Sequence, residues 1–288
     1  MRRRRTATTA AIALLLAVLT ACAGAPAPEP VDLAELETNP TLSDVASIGA
    51  LGDSMTLGVN ACGQPGRCTA ASWATGDDPA VGSIAMRIGA ASGSVPDTVN
   101  AAKDGGTVAD AVARVDEVIA AQPELVLVLL GGNDVCDADV EGMTSVDDFR
   151  ASYTALLTAL SAGLPDARVL ALSIPDLYRL WEVGRDDEGT RQIWDSSPSC
   201  SNLLGDAAAT DAAATERRDA VAARTDEFNA VIAEACAADS ACTSDGGAVF
   251  DYEFSPAEIS AIDHFHPSVA GQQVIAEIAW NTLVEAAP

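Results

Sequence analysis

Residues 123–132 read PELVLVLLGG. A proline and a glutamate lead into six consecutive Leu and Val residues, closed by two glycines. A short apolar run of this kind, bounded by turn residues, is a strand buried on both faces. Two further runs share its character, VASIGALG at 45–52 and ARVLALSIP at 167–175, and DTVNAA at 97–102 is a candidate. A last short strand is expected at GAVFDYEF, 247–254. Helical patterns lie between them. In VADAVARVDEVIAAQ (108–122), Val108, Ala111, Val112, Val115, Val118 and Ile119 recur at helical spacing. TSVDDFRASYTALLTALSAGL (144–164) opens on a capping pattern, Ser145 to Asp148, and puts Phe149, Tyr153, Leu156, Leu157 and Leu160 on one face. TERRDAVAARTDEFNAVIAEACA (215–237) is a long amphipathic helix. PSVAGQQVIAEIAWNTLVEAA (267–287) closes the chain, with Pro267 expected in its first turn.

Strands alternating with helices imply one parallel sheet covered on both faces, a three-layer α/β/α domain. Sites in such sheets form at the carboxyl ends of strands. GDS (52–54), KDGG (103–106) and GGND (131–134) follow three of the strands, so all three gather at one edge. The stretch 176–210 breaks the alternation. It carries Trp181 and Trp194, and an insertion there would overhang that edge. Trp73 and Trp280 read as core.

The formal net charge is −26 over 288 residues, and Arg2 to Arg5 supply four of the 16 basic residues. Without them the chain carries about −30. A surface that acidic repels phosphate backbones and excludes nucleic acid as a partner. It also disfavours adsorption to anionic lipid. MRRRR followed by AAIALLLAVL (10–19) is an export signal, with an apolar stretch too short to span a bilayer. It ends in LTAC, residues 19–22, which resembles the lipobox of bacterial lipoproteins. That resemblance implies cleavage after residue 21 and acylation of Cys22, leaving the protein anchored by lipid outside the cytoplasm. The expected organisation is a signal peptide at 1–21, a Pro/Ala-rich tether at 22–44 and a single domain at 45–288.

Six cysteines remain: Cys62, Cys68, Cys136, Cys200, Cys236 and Cys242. An even number in an exported chain suggests three disulfides, with 15 connectivities open. Cys62 with Cys68, and Cys236 with Cys242, would close short local loops. Cys136 with Cys200 would then tie two distant segments. Zinc is disfavoured, since no CxxC is present and the two histidines, His264 and His266, lie far off in sequence. DADVEGMTSVDD (137–148) has Gly142 where a calcium loop needs glycine. Asp148 stands where a bidentate Glu belongs, and a strand precedes it, so an acidic loop leading to a helix cap is preferred.

A serine nucleophile needs a base within hydrogen-bond reach and a group that orients that base. Both histidines stand in AIDHFHPS, 261–268. Asp263 lies three residues before His266, a spacing that can bring its carboxylate to Nδ1 and leave Nε2 for Ser54. His264 directly follows Asp263, so its side chain diverges. Taken alone, Ser54 reads as a helix N-cap, Asn133 and Gly105 as turn residues, and Asp263–His266 as a surface pair. Ser54 does not sit in the G-x-S-x-G elbow of α/β-hydrolases, because Thr56 stands where that motif has glycine. A gentler turn at a helix start is expected.

GDSMTLG (52–58) resembles the first sequence block of the GDSL, or SGNH, hydrolases. NAAKDGGTVAD (100–110), GGNDVC (131–136) and DHFHP (263–267) resemble their later blocks, in the family's order. SWATGDD (72–78), the cysteine after GGND, and FHPSVAGQQVIAEIAWN (265–281) are similar to the phospholipase B-like branch. The resemblance implies a flavodoxin-like fold and ester hydrolysis without a metal or organic cofactor. It implies Ser54, His266 and Asp263 as nucleophile, base and orienting acid. It also implies oxyanion donors from the backbone of Ser54 and Gly105 and from Asn133. Lipid or other acyl esters are the expected substrates, and a monomer is expected. Removal of O-acetyl groups from carbohydrate is the alternative on the same fold. A solute-binding lipoprotein is the non-enzymatic alternative; it would have two domains and no reason to carry these five residues together.

Overall fold

The structure is a computed structural model that describes residues 29–36, 40–197 and 199–286. The expected export signal and the expected acylation site, Cys22, lie outside the described residues. Five strands form one sheet: β1 (Ser47–Gly52), β2 (Asp97–Asn100), β3 (Leu125–Leu129), β4 (Arg168–Leu172) and β5 (Cys242–Ser244). Their order is β2-β1-β3-β4-β5 and every pairing is parallel. Chain direction across the sheet reverses between β1 and β3, where Ile48 aligns with Leu125 and Gly52 with Leu129. Ligand crevices open at such a switch point.

Successive side chains of a strand point to opposite faces. Val126 and Val128 of β3, and Val169 and Ala171 of β4, therefore enter one core. It is completed by Val115 and Val118 of the Val108–Ala121 helix, Phe149 and Tyr153 of Val146–Gly163, and Val221 and Phe228 of Ala212–Ala237. Leu125, Leu127, Leu129, Leu170 and Leu172 face the other core, with Ile84 and Ile88 of Ile84–Ser92 and Ile275 and Trp280 of Val269–Glu285. Trp73 and Trp280 are both buried there.

Three sequence expectations are corrected, and one helix is added to them. The last strand is Cys242–Ser244, and Ala248–Asp251 is a short helix instead. Asp245 causes the change. Its carboxylate accepts the N–H groups of Gly247 and Val249 and both the N–H and hydroxyl of Ser173, so the chain folds over as soon as the strand ends. Pro267 is not in the closing helix. Ser268 caps it by accepting the Gly271 N–H, and Pro267 stays extended, bridged to Ile259. The Ile84–Ser92 helix, capped by Ser83, was not anticipated; at nine residues rich in Ala and Gly it leaves a faint periodicity. The packed chain also begins before residue 45, because Leu42 in the Pro40–Ser43 turn of helix is fully buried.

The three disulfides pair Cys62 with Cys68, Cys136 with Cys200, and Cys236 with Cys242. The stretch after β4 forms two helices, Leu177–Gly184 and Glu188–Ser196, each capped by the preceding Asp. A Cβ on Gly184 would meet the Trp194 ring at 2.3 Å, so glycine there lets the two helices close on each other. Among the described residues, no helix is long and apolar enough to cross a membrane.

Candidate active site

Ser54 stands just beyond the carboxyl end of β1, 6% exposed. The chain does not enter a helix there, as expected from the sequence, but runs through successive turns from Ser54 to Cys62. The carbonyl of Thr56 explains this. It receives the Ser72 hydroxyl and the Asn100 amide, side-chain donors standing where a helical N–H would be. The Thr56 hydroxyl in turn accepts the Trp73 indole N–H. Thr56 packs so tightly on Gly52 that a Cβ there would lie 2.1 Å from its Oγ1. Gln272, from the closing helix, donates to the Met55 carbonyl and accepts the Trp73 N–H. The serine turn is thus held from three sides.

The loop before the closing helix brings the two other residues in. His266 Nε2 lies 2.8 Å from Ser54 Oγ, and His266 Nδ1 lies 2.5 Å from Asp263 Oδ2. Asp263 Oδ1 accepts the N–H groups of Phe265 and His266, and Oδ2 also accepts the Asn60 amide at 2.6 Å. Burial alone would raise the Asp263 carboxyl. The hydrogen bonds and charge of His266, with the Asn60 amide, outweigh it and hold the pKa at about 2. Asp263 is therefore ionised at neutral pH. His264 turns away, with its Nδ1 3.2 Å from the Thr190 hydroxyl and a left-handed backbone (φ 52°).

Gly105 and Asn133 lie on the same lip. Gly105 has φ +67°, a conformation that favours glycine. Among the described residues, neither the Ser54 nor the Gly105 backbone N–H has an acceptor in the protein. The Asn133 amide donates to the Gly106 carbonyl at 3.1 Å and, at 3.4 Å, to Asp53 Oδ2. Ser54, Gly105, Asn133 and His266 all line one concavity.

The sequence matches the GDSL-like Lipase/Acylhydrolase family over residues 50–274. The chain belongs to that family. It is a carboxylic ester hydrolase of the GDSL/SGNH type. No curated relative matches the sequence. Solved structures share the fold at low identity. An extracellular lipase from Streptomyces rimosus is 19% identical, covering 82% of this chain and 99% of that one, with a TM-score of 0.53. A lipase/acylhydrolase from Enterococcus faecalis is 18% identical over 83% and 96%, with a TM-score of 0.52. An acetylxylan esterase from Geobacillus stearothermophilus is 20% identical over 83% and 94%, with a TM-score of 0.50.

Two arms leave Ser54 in this GDSL hydrolase. One is apolar, bounded by Met55, Pro175, Leu177, Leu180, Phe254, Ile259 and Phe265. Leu177 and Leu180 come from the insertion, which does overhang the site. Trp181 and Trp194 do not line this arm; they are buried, with the Trp181 indole donating to Ala207 O and the Trp194 indole to His264 O. The other arm is polar, with Asp104, Asp137 and Ser199 at its sides and the Cys136 and Cys200 sulfurs' residues at its wall.

Sequence reasoning missed two residues here. Asp53 is fully buried beside the serine, and burial pushes its carboxyl up to about 7 although the Met55 N–H and His266 draw it down. Its place directly before Ser54 was the available signal. Asn60 reaches Asp263 across 203 positions, a contact no local pattern announces. Asp134, next to Asn133, accepts the Val108 N–H and the Thr144 hydroxyl, and burial raises it to about 6. It anchors the short helix Gly132–Val135, which carries Asn133.

Proposed function

We propose that this family member is an extracytoplasmic serine hydrolase of lipid or other acyl esters. Ser54 attacks the ester carbonyl while His266 Nε2 takes its proton. His266 then protonates the departing alcohol, and water repeats the sequence on the acyl-enzyme. Ionised Asp263 fixes the Nδ1–H tautomer and stabilises the imidazolium. The free N–H groups of Ser54 and Gly105 receive the oxyanion, joined by the Asn133 amide once its long contact to Asp53 gives way. The export signal and the LTAC segment support anchoring through Cys22, and the SWATGDD segment supports the phospholipase B-like branch.

The observation that carries the substrate class is the apolar arm, which begins at Ser54 and offers an acyl chain almost wholly hydrocarbon walls. A second reading, removal of O-acetyl groups from carbohydrate, is favoured by the polar arm along Asp104, Asn133 and Asp137. The test is hydrolysis of p-nitrophenyl esters from acetate to palmitate. Rates that climb with acyl length support acyl esters. A maximum at acetate supports the carbohydrate reading, and no hydrolysis of any ester by wild type, or an unchanged rate in Ser54→Ala, refutes the mechanism.

A further inference from the structure

Asp263 has four donors on its carboxylate. Three belong to its own loop: the N–H groups of Phe265 and His266, and His266 Nδ1. The fourth is the amide of Asn60, on the serine's segment, six residues beyond Ser54. Every polar group of Asn60 is engaged. Its N–H donates to Gly66 O and its Oδ1 accepts the Gly66 N–H, across the loop that Cys62–Cys68 closes. Its carbonyl accepts the hydroxyl of Ser260, which is 2% exposed. Ser260 also donates its N–H to His266 O and accepts the His264 N–H on its own carbonyl. The Val59 N–H, next to Asn60, donates back to Ser54 O. A closed circuit results. It runs from Ser54 O to Val59 and Asn60, from Asn60 Nδ2 to Asp263 Oδ2, from Asp263 to His266 Nδ1, and from His266 Nε2 to Ser54 Oγ.

We infer that Asn60 is a positioning residue of this hydrolase, whose side-chain amide sets the register of the acid–base loop against the nucleophile's turn. The inference rests on the proposed roles of Ser54, His266 and Asp263. Asn60 acts in two ways. It holds Asp263, and through it the imidazole, in line with Ser54 Oγ, where a displacement of 1 Å costs about 10²-fold in rate. It also shares Oδ2 with the imidazole N–H as a neutral donor, which weakens the carboxylate's pull on the histidine's proton. Asparagine suits the place because its backbone is left-handed (φ 60°), a conformation Asn tolerates better than most residues.

Two variants test this. Asn60→Gly accepts the same backbone and leaves the Cys62–Cys68 loop closed, but removes the amide. On p-nitrophenyl butyrate kcat should fall about 10²-fold with KM little changed, because Asn60 does not line either arm of the site. Asn60→Asp keeps the acceptor for the Gly66 N–H and replaces the amide donor with a carboxyl group, which donates only while protonated. The imidazole already faces Asp263 on its loop, Asp53 from the serine turn, Glu258 across the apolar arm, and Asp104 and Asp137 across the polar arm. Two carboxyl groups in contact at Oδ2 do not both ionise freely, so the new carboxyl donates to Asp263 while it keeps its proton; as that proton is lost the donor is lost with it, and the alkaline limb of the kcat/KM profile should move downward by about one pH unit. A packing role alone would leave that limb in place. Wild-type kcat in Asn60→Gly, or an unmoved limb in Asn60→Asp, overturns the inference. So does failure of both variants to fold, which would make Asn60 a structural keystone. Inactive wild-type protein would refute the proposed function instead, so the two failures are distinguishable.

Discussion

Cys136 and Cys200 are bonded across 64 residues, three positions after Asn133 and at the inner end of the helical insertion. Asn202 reinforces the link by donating its amide to Val135 O and its N–H to Asp137 O. The bridge therefore fixes the insertion against the segment that presents Asn133. Thiol titration of the unfolded, unreduced protein should find none of the six body cysteines free, and two or more would break the framework. Replacing Cys136 and Cys200 together by Ala should cost about 2–4 kcal/mol of stability, read by urea unfolding, while the two short-loop bridges remain.

His266 and His264 should separate cleanly in activity. His266 Nε2 is on Ser54, whereas His264 faces Thr190 beneath the insertion. His266→Ala should lower kcat by about 10⁴-fold or more, comparable with Ser54→Ala, because nucleophile and base act as a unit. His264→Ala should cost far less. The reverse ranking would overturn the assignment of the base.

Asn133→Ala should lower kcat by about 10²–10³-fold with a small change in KM, the pattern of a donor used mainly in the transition state. The measurement is steady-state kinetics on a butyrate ester. A comparable rise in KM with kcat unchanged would place Asn133 in ground-state binding.

The three central strands, β1, β3 and β4, were legible because they are mostly Leu, Val, Ala, Ile and Gly between turn residues, and the long helices because their apolar positions repeat cleanly. That Ser54, Asp263 and His266 meet was legible for a different reason: the chain has two histidines, and the blocks that resemble the GDSL hydrolases single out His266. The end of β5 was not, because GAVFDYEF has strand composition, and only the network between Asp245 and Ser173 shows why it turns. Asn60 was hidden by separation. Its partners lie 200 and 203 positions away, and its own neighbourhood reads as a Cys-closed loop.

Stability should peak near pH 4–5 and decline toward pH 8. Asp53 holds its proton to about 7 in the folded state against an ordinary value of 3.8, so between these values the folded protein binds the extra proton and stability falls as pH rises. Asp134, raised to about 6, acts in the same sense. Asp263 acts oppositely: its pKa of about 2 gives stability that is present above 3.8 and lost as pH falls toward 2. Melting temperatures from pH 3 to 9 should show the maximum. Asp53→Asn, which keeps an acceptor for the Met55 N–H, should flatten the decline between pH 5 and 8. A wild-type melting temperature that climbs steadily from pH 5 to 8 would contradict the buried, protonated Asp53.

If acyl esters are the substrates, as proposed, the apolar arm should set the dependence on acyl length. Each methylene moved from water into hydrocarbon surroundings is worth about 0.8 kcal/mol, or about fourfold in kcat/KM while the walls continue. From acetate to butyrate, two methylenes, kcat/KM should rise about fifteenfold. Leu177 stands on the first turn of the insertion and lines this arm, 8% exposed. Leu177→Trp should fill the arm and reduce the ratio of kcat/KM on the laurate ester to that on acetate by about tenfold or more. Leu177→Ala should widen the arm and leave long esters competitive, at a stability cost of about 2 kcal/mol or more if the side chain is packed as a core leucine. An unchanged laurate-to-acetate ratio in Leu177→Trp would mean that the acyl chain does not enter beside the insertion, and the polar arm along Asp104 and Asp137 would become the side that selects the substrate.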